Sequence, residues 1–226
     1  MTTLPDRWPA TSPDHIQLYS LPTPNGQKAS IALEELGLPW DGHFIDFGKA
    51  DQKSPEFLAF SPNGKIPAII DPKGPGGEPL AVFESGAILL YLARKAGKLL
   101  PSDPRQESEV LQWMFFQVGS VGPMFGQFGH FFKFAKGKTD DYGEKRYTAE
   151  VNRLLGVIEG QLEGREWIVD EFSLADIMIV PWLNALDFYE GKDAVGWGDF
   201  PNVQAWAERF NARPAVQRGS RLPSRD

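Results

Sequence analysis

The sequence predicts two successive domains, an α/β domain followed by an all-helical one. Residues 16–21 alternate apolar and polar side chains, which is typical of a strand, and further strand patterns follow as far as Phe83. After Phe83 no strand pattern appears, and apolar residues recur at helical spacing instead. The chain has 226 residues, of which 42% are hydrophobic, so it is long enough for two ordinary domains with a core each.

The first domain begins with a predicted strand–helix–strand unit. The strand at residues 16–21 leads into a helix that Gly37 ends. Either Thr23, with a proline after it at the first helical position, or Asn25 is suited to cap the start of this helix. A second strand covers residues 40–47, and a right-handed crossover is expected to connect the two strands.

Two more strands and a helix complete the first domain. The strands are predicted at residues 68–71 and 81–83, separated by a Gly/Pro-rich stretch that suits a hairpin loop. A helix then opens on Glu84 and Ser85, and a serine in this position can cap the helix backbone. This order of elements is typical of a thioredoxin-like α/β domain.

The second domain is predicted to begin after a break at residues 96–104, which hold three glycines or prolines where the helical pattern stops. Helix starts are expected at Pro104, at Ser173 with Asp176 as its capping-box partner, and at Pro201, and the last of these helices is expected to stop near Pro214. The expected division is an N-terminal extension at 1–14, a first domain at 15–97 and an all-helical domain at 104–226. The proline-rich extension is expected to be poorly ordered or to lie on the surface.

Composition excludes several classes of function. The formal net charge of -7 argues against a nucleic-acid partner. The chain has no cysteine, which excludes a disulfide, a redox-active cysteine pair and thiolate-bound zinc, and its three separated histidines predict no metal site. No apolar run approaches the roughly 18 residues of a membrane span. The first residues lack the apolar segment of a signal peptide, so a cytoplasmic location without membrane association is expected.

One stretch of the first domain carries two motifs in a fixed order, K-I-P at residues 65–67 and E-S-G-A-I-L-L-Y-L from Glu84 onward. Together they resemble the glutathione-binding half of the cytosolic glutathione transferases. The resemblance implies that Ile66, before a cis proline, pairs with the cysteinyl backbone of glutathione, and that Glu84 and Ser85 bind its γ-glutamyl group. Either motif alone is also compatible with an ordinary strand–turn–strand–helix unit and a trans proline.

The run T-P-N-G at residues 23–26 and a later G-Q-F-G-H segment are similar to the Nu-class of that family. This resemblance implies that Thr23 and Asn25 lie beside the glutathione sulfur, with two glutathiones or one glutathione disulfide in each site. The implied activity is glutathione-dependent reduction of disulfide bonds. A free thiol has a pKa of about 8.5, so only a small part of it is thiolate at neutral pH. The Thr23 hydroxyl, the Asn25 amide and the first N–H groups of the helix are each suited to stabilise that anion. Without the resemblance, both residues serve a helix cap and a turn.

The family resemblance also implies roles for three residues that stand at positions matching the family's glutathione-binding residues. The resemblance implies that Gln52, and also Lys65, meet the glycyl carboxylate of glutathione, and that Arg146 reaches a glutathione carboxylate from the second domain. Taken alone, Arg146 is equally compatible with a solvated surface charge. Tyr19 lies inside a strand pattern, so we interpret it as a packing residue and not as a catalytic one.

The stretch from residue 114 to 134 is rich in both phenylalanine and glycine. Since a glycine inside a helix costs about 1 kcal/mol relative to alanine, a purely structural helix would rarely carry so many. We interpret this stretch as the kinked wall of a second-substrate pocket and as part of a homodimer interface, although aromatic packing explains any single phenylalanine. A capping motif at 173–176 extends the family resemblance over nearly the whole chain.

The sequence leaves three functions open. The first is an oxidoreductase that uses two glutathiones to reduce small organic disulfides. The second is a conventional glutathione S-transferase or peroxidase that acts on hydrophobic electrophiles, which would normally carry a catalytic tyrosine or serine. The third is a protein that binds glutathione without catalysis.

Overall fold

The computed structural model describes residues 3–138 and 140–224. The chain divides into two compact units, one that runs to Lys98 and takes in the chain from Pro214 onward, and one from Leu99 to Arg213. The first unit is α/β, and the described part of the second contains helices without strands, which confirms the predicted fold class. The strands of the first unit are β1 Ile16–Ser20, β2 Trp40–Phe44, β3 Ala68–Asp71 and β4 Leu80–Phe83; its helices are α1 Pro24–Leu36, α2 Pro55–Leu58, α3 Ser85–Ala96 and α9 Pro214–Gly219.

The four strands form one sheet in the order β2-β1-β3-β4. Strand β1 is parallel to β2 and antiparallel to β3, which is in turn antiparallel to β4. In this register Ala68, the first residue of β3, lies opposite both Tyr19 near the end of β1 and Phe83 at the end of β4. The chain therefore leaves β1, enters β3 and leaves β4 at one edge of the sheet.

The N-terminal segment runs along the first unit with most of its described residues exposed or half-buried, and one of them, Trp8, belongs to the core. Trp8 is 9% exposed and lies edge-on to Tyr19 and Phe57, with ring centroids 5.8 and 6.3 Å away. Arg7 forms an ion pair with the buried Asp51. The segment is held because burial of one large aromatic side chain offsets the entropy of ordering a short peptide.

The end of the chain also differs from the expectation, which placed residues 104–226 in one helical domain. Pro214 ends the predicted last helix but also begins α9, which packs on α1 in the first unit. The Ser30 hydroxyl donates to the carbonyl of Gly219 over 2.6 Å, and the Gln27 side chain donates to the carbonyl of Ser220 over 3.0 Å. These bonds join α1 to residues near the end of the chain, which explains why the second unit ends at Arg213.

The second unit is built around α7 (Leu174–Tyr189), a helix that is buried along almost its whole length. Its start is the predicted capping box, in which the Ser173 hydroxyl accepts from the main chain and Asp176 accepts from the Ser173 amide over 2.8 Å. The helices of this unit are α4 Pro104–Phe116, α5 Gly122–Gly129, α6 Tyr142–Gln161, α7 Leu174–Tyr189 and α8 Pro201–Asn211. None of the helices in the described ranges is long and apolar enough to span a membrane.

Packing against α7 explains part of the glycine content of the aromatic stretch. Two π-helical turns, Gln117–Val121 and His130–Phe134, flank α5. A Cβ atom at Gly129 would lie only 2.3 Å from the ring of Tyr189 on α7, so only glycine fits at this crossing. The predicted roles of this stretch in a substrate pocket and a dimer interface stay predictions.

Candidate functional site

Most of the predicted site residues meet at the sheet edge that the register defines. Thr23 and Asn25 follow β1, Ile66 stands two residues before β3, and Glu84 and Ser85 follow β4. Helices α1 and α3 pack together and both begin at this edge. Two helix N-termini, each with the partial positive charge of the helix dipole, therefore lie next to each other and favour an anion.

The start of α1 is fixed by a tight turn. The Thr23 hydroxyl accepts a hydrogen bond from the Gly26 amide over 3.3 Å, so the cap is Thr23 and not Asn25. A Cβ atom at Gly26 would lie 1.9 Å from the carbonyl oxygen of Leu21, so the approach of the strand end to the helix requires glycine. The Asn25 side chain is thereby placed in the first turn of α1, half-buried at the sheet edge.

A buried lysine, which the sequence analysis missed, connects the two helix starts. The Lys28 side chain is 1% exposed, and its Nζ donates to Asn25 Oδ1 over 2.8 Å and to Ser85 Oγ over 3.4 Å. Burial lowers the pKa of Lys28 to about 7, and the charge of Glu84 opposes this shift. One signal was available, because Lys28 precedes Ala32 by four positions and so lies on the buried face of the helix.

The start of α3 differs from the predicted serine cap. Glu84 occupies the cap position with φ 68° and ψ 119°, no side chain caps the helix, and Ser85 is the first helical residue. A residue other than glycine at positive φ costs of the order of 1–3 kcal/mol, and such conformations cluster at functional sites. The Ser85 hydroxyl is directed to Lys28 instead of its own helix.

The loop before β3 places Ile66 at the same edge. The Ile66-Pro67 peptide bond is cis, as the family resemblance implies, and Ile66 is buried. Lys65 is exposed, and its carbonyl accepts from the hydroxyl of the buried Ser61 over 2.9 Å. The bond to Ser61 fixes the backbone immediately before Ile66.

Gln52 lies in the turn that the N-terminal segment supports. Its neighbour Asp51 accepts from Arg7 and from the amide of Asp46, the latter over 3.0 Å. The main-chain carbonyl oxygen of Gln52 lies 3.1 Å from the position that a Cβ atom would take at Gly64. The turn therefore lies beside the loop that carries Lys65. Among the described residues, the buried Gln52 Oε1 has no hydrogen-bond partner.

Tyr19 is a packing residue, as predicted. It is fully buried and stacked on His43, with ring centroids 4.6 Å apart. Its hydroxyl finds no partner in the described part of the chain, and burial raises its pKa far above the usual value. A hydroxyl that resists ionisation and is closed off from solvent is unsuited to activate a thiol.

Arg146 belongs to the second unit, where α6 exposes it to solvent. It lines a cavity of about 770 Å³ together with Met124, Tyr142, Tyr147 and Arg153. His130 is exposed, and its ring lies edge-on to that of Phe131. Within residues 3–138 and 140–224, no group of three or more His, Asp or Glu side chains is placed to hold a metal ion.

Comparisons with known proteins agree with this geometry. Residues 23–95 match the family described as glutathione S-transferase, N-terminal domain, and residues 110–214 match the glutathione S-transferase C-terminal domain. The chain is 46% identical over 203 residues to the disulfide-bond oxidoreductase YfcG of Escherichia coli, covering 89% of this chain and 92% of that protein.

Two solved structures are also similar. A glutathione transferase from Pseudomonas putida, with one glutathione disulfide bound per subunit, superimposes with a TM-score of 0.95 at 52% identity over 96% of each chain. A glutathione transferase from Burkholderia graminis, with two glutathione molecules bound per subunit, gives a TM-score of 0.94 at 54% identity over 97% of this chain and 93% of the other.

Proposed function

Since this chain belongs to the glutathione S-transferase family, we propose that it is a glutathione-dependent disulfide-bond oxidoreductase of the Nu-class type. The observation that carries the proposal is the convergence of Thr23, Asn25 and Ser85 on two adjacent helix starts. Two similar glutathione transferases hold one glutathione disulfide or two glutathione molecules per subunit. A site of this chain is proposed to hold the same ligands.

The sheet edge offers a match for each part of glutathione. The γ-glutamyl group is proposed to bind at Glu84 and Ser85, where the uncapped start of α3 favours its carboxylate. The cysteinyl backbone pairs with Ile66. The glycyl end is proposed to reach Gln52 and Lys65, since the Gln52 main chain lies beside Gly64, the residue before Lys65. Arg146 is proposed to bind a glutathione carboxylate from α6.

The thiolate of glutathione is then placed beside Thr23 and Asn25. A hydrogen bond to an ionised partner contributes roughly 1.5–3 kcal/mol, which lowers the pKa of a thiol by about one to two units. Because an unperturbed thiol has a pKa of about 8.5, such a shift raises the thiolate fraction at neutral pH substantially. The Thr23 hydroxyl already accepts from Gly26, so its proton is directed elsewhere and is suited to the sulfur.

Every sulfur atom in the reaction comes from the ligands, since the chain has no cysteine. The thiolate of one glutathione attacks a sulfur of the substrate disulfide, the S–S bond breaks, and one substrate thiol leaves. The second glutathione attacks the glutathione sulfur of the mixed disulfide and releases the second substrate thiol. Two glutathiones lose two electrons and become glutathione disulfide, and their protons appear on the two product thiols.

The second substrate is proposed to be a small organic disulfide, and the enzyme a cytoplasmic homodimer. These parts of the proposal rest on the family resemblance. Analytical ultracentrifugation of the full chain measures the subunit number directly. A sedimentation coefficient that corresponds to a monomer at micromolar concentration would contradict the dimer.

Steady-state turnover of a hydroxyalkyl disulfide by glutathione tests the proposed activity. We expect the wild-type protein to reduce it well above the uncatalysed rate. We expect Asn25→Ala to lower kcat by about 10- to 100-fold, the equivalent of one charge-assisted hydrogen bond. Turnover of an aromatic halide in place of the disulfide would favour the conventional S-transferase. Binding of glutathione without either reaction would favour a non-catalytic binding protein.

A further inference from the structure

The polar side chains at the starts of α1 and α3 are bonded to Lys28, a residue to which the sequence analysis assigned no role. The ammonium group of Lys28 is buried, and it donates to Asn25 Oδ1 over 2.8 Å and to Ser85 Oγ over 3.4 Å. One of these partners stands on α1 and the other on α3. Lys28 therefore contacts a residue beside the proposed thiolate and a residue beside the proposed γ-glutamyl group.

The chemistry of an ammonium group decides how its partners are oriented. Protonated lysine has three donors and no acceptor, so both partners must present an oxygen lone pair to it. The oxygen and the nitrogen of the Asn25 side-chain amide point in different directions. Because the oxygen faces Lys28, the NH₂ group is directed away from it. The Ser85 hydroxyl, when it accepts from Lys28, has its own proton left for another acceptor.

We propose that Lys28 is a positioning residue that orients Asn25 and Ser85 as hydrogen-bond donors toward an anionic ligand at the sheet edge. The inference rests on the proposed glutathione function of the same site and adds to it the residue that sets the polarity of two contacts. Lys28 touches the ligand-facing side chains and acts through them. Without Lys28, Asn25 loses a bond that fixes the orientation of its amide, and a rotation by half a turn would direct its oxygen to the thiolate, which repels it.

The surroundings of Lys28 support an adjustable charge. Burial disfavours the ammonium form and lowers the pKa of Lys28 to about 7, whereas the carboxylate of Glu84 favours it. An anion bound at the helix starts adds a second negative charge nearby and favours the ammonium further. Ligand binding and the donor orientation of the two partners therefore reinforce each other.

The experiment compares Lys28→Met, which keeps the length of the side chain but removes its donors, with Lys28→Arg, which keeps the charge. Lys98→Met, at an exposed lysine beyond the end of α3, is the matched control. For Lys28→Met we expect a fall of about 10- to 100-fold in kcat/KM for glutathione, with kcat lowered and KM raised, because one partner faces the sulfur and the other the γ-glutamyl group. Lys28→Arg is expected to recover part of this loss.

Wild-type kinetics in Lys28→Met would overturn the inference and leave the proposed function intact. The absence of both glutathione binding and disulfide turnover in the wild-type protein would overturn both, because no ligand would then need positioning. A second measurement covers the case in which Lys28→Met does not fold. In the wild-type protein labelled with ¹⁵N, glutathione should shift the side-chain amide signal of Asn25 but not that of Asn63, which is exposed before the loop glycine. An unshifted Asn25 signal in the bound state would contradict the inference.

Discussion

Each unit of the molecule contains a fully buried ionisable side chain at the start of a helix, Lys28 in the first and Asp176 in the second. Burial shifts the pKa of both toward the neutral form, to about 7 for the lysine and to about 6 for the carboxyl. The two differ in their partners. Lys28 bonds to two side chains at the proposed ligand site, whereas Asp176 bonds to groups that hold the fold.

The partners of Asp176 close a network inside the second unit. Its carboxylate accepts from the amides of Ile168 and Ser173 over 3.1 and 2.8 Å and from the indole of Trp206 over 2.8 Å. These donors are themselves buried or part of the capping box, so a ligand has nothing to contact there. The comparison teaches that burial alone does not mark a functional charge. The groups with which the charge is paired do.

The largest effect on stability is expected from Asp176→Ala. Removal of the carboxylate takes the acceptor away from four buried donors, namely the amides of Ile168 and Ser173, the Ser173 hydroxyl and the Trp206 indole. The free energy of unfolding should therefore fall by roughly 3–5 kcal/mol. Asp170→Ala, at an exposed carboxylate paired with Arg165, is the control and should change little. Denaturant unfolding measures both. A loss below about 1 kcal/mol for Asp176→Ala would contradict the claim that this carboxylate holds the fold of the second unit.

A second substitution tests whether the N-terminal segment also serves the fold. Trp8→Ala removes an aromatic side chain packed on Tyr19 and Phe57, and the expected loss of unfolding free energy is about 3 kcal/mol. Trp8→Phe keeps an aromatic ring and should lose less. If the two variants unfold at the wild-type denaturant concentration, the segment is not part of the core in solution.

Lys28 and Asp176 should also make the free energy of unfolding depend on pH with opposite signs. The folded-state pKa of Asp176 lies above its usual value, so its contribution to stability is lost as the pH rises from about 4 to about 6. The folded-state pKa of Lys28 lies below its usual value, so stability should increase as the pH rises from about 7 toward 10. Each slope is at most about 1.4 kcal/mol per pH unit. The increase above pH 7 should disappear in Lys28→Met, and its persistence there would assign it to another group.

Local signals predicted the structure best. The capping box of Ser173 and Asp176 was visible because both partners lie within one helical turn, and the strand alternation before Thr23 placed β1 correctly. The proposed site residues at the sheet edge were chosen through the family resemblance, because no local pattern indicates them, and their roles stay predictions.

The features that the sequence did not reveal depend on packing between distant segments. Lys28 is buried because α3 covers it, and Trp8 is buried because it reaches side chains of β1 and α2. Pro214 was interpreted as the end of a helix, although a proline is equally suited to begin one, and only the contacts of α9 with α1 distinguish the two. The positive φ of Glu84 is imposed where β4 passes into α3, and its residue type gives no indication of it.

Calorimetric titration of the wild-type protein with glutathione and, separately, with glutathione disulfide tests the central claim most directly. A site formed by two helix starts, Ile66 and Gln52 should bind two glutathiones or one glutathione disulfide per subunit. Asn25→Ala should weaken binding of the thiol form more than Lys98→Met does. Saturation at two glutathiones or one disulfide per subunit is the predicted result. The absence of heat with either ligand, in protein shown to be folded by circular dichroism, would contradict it.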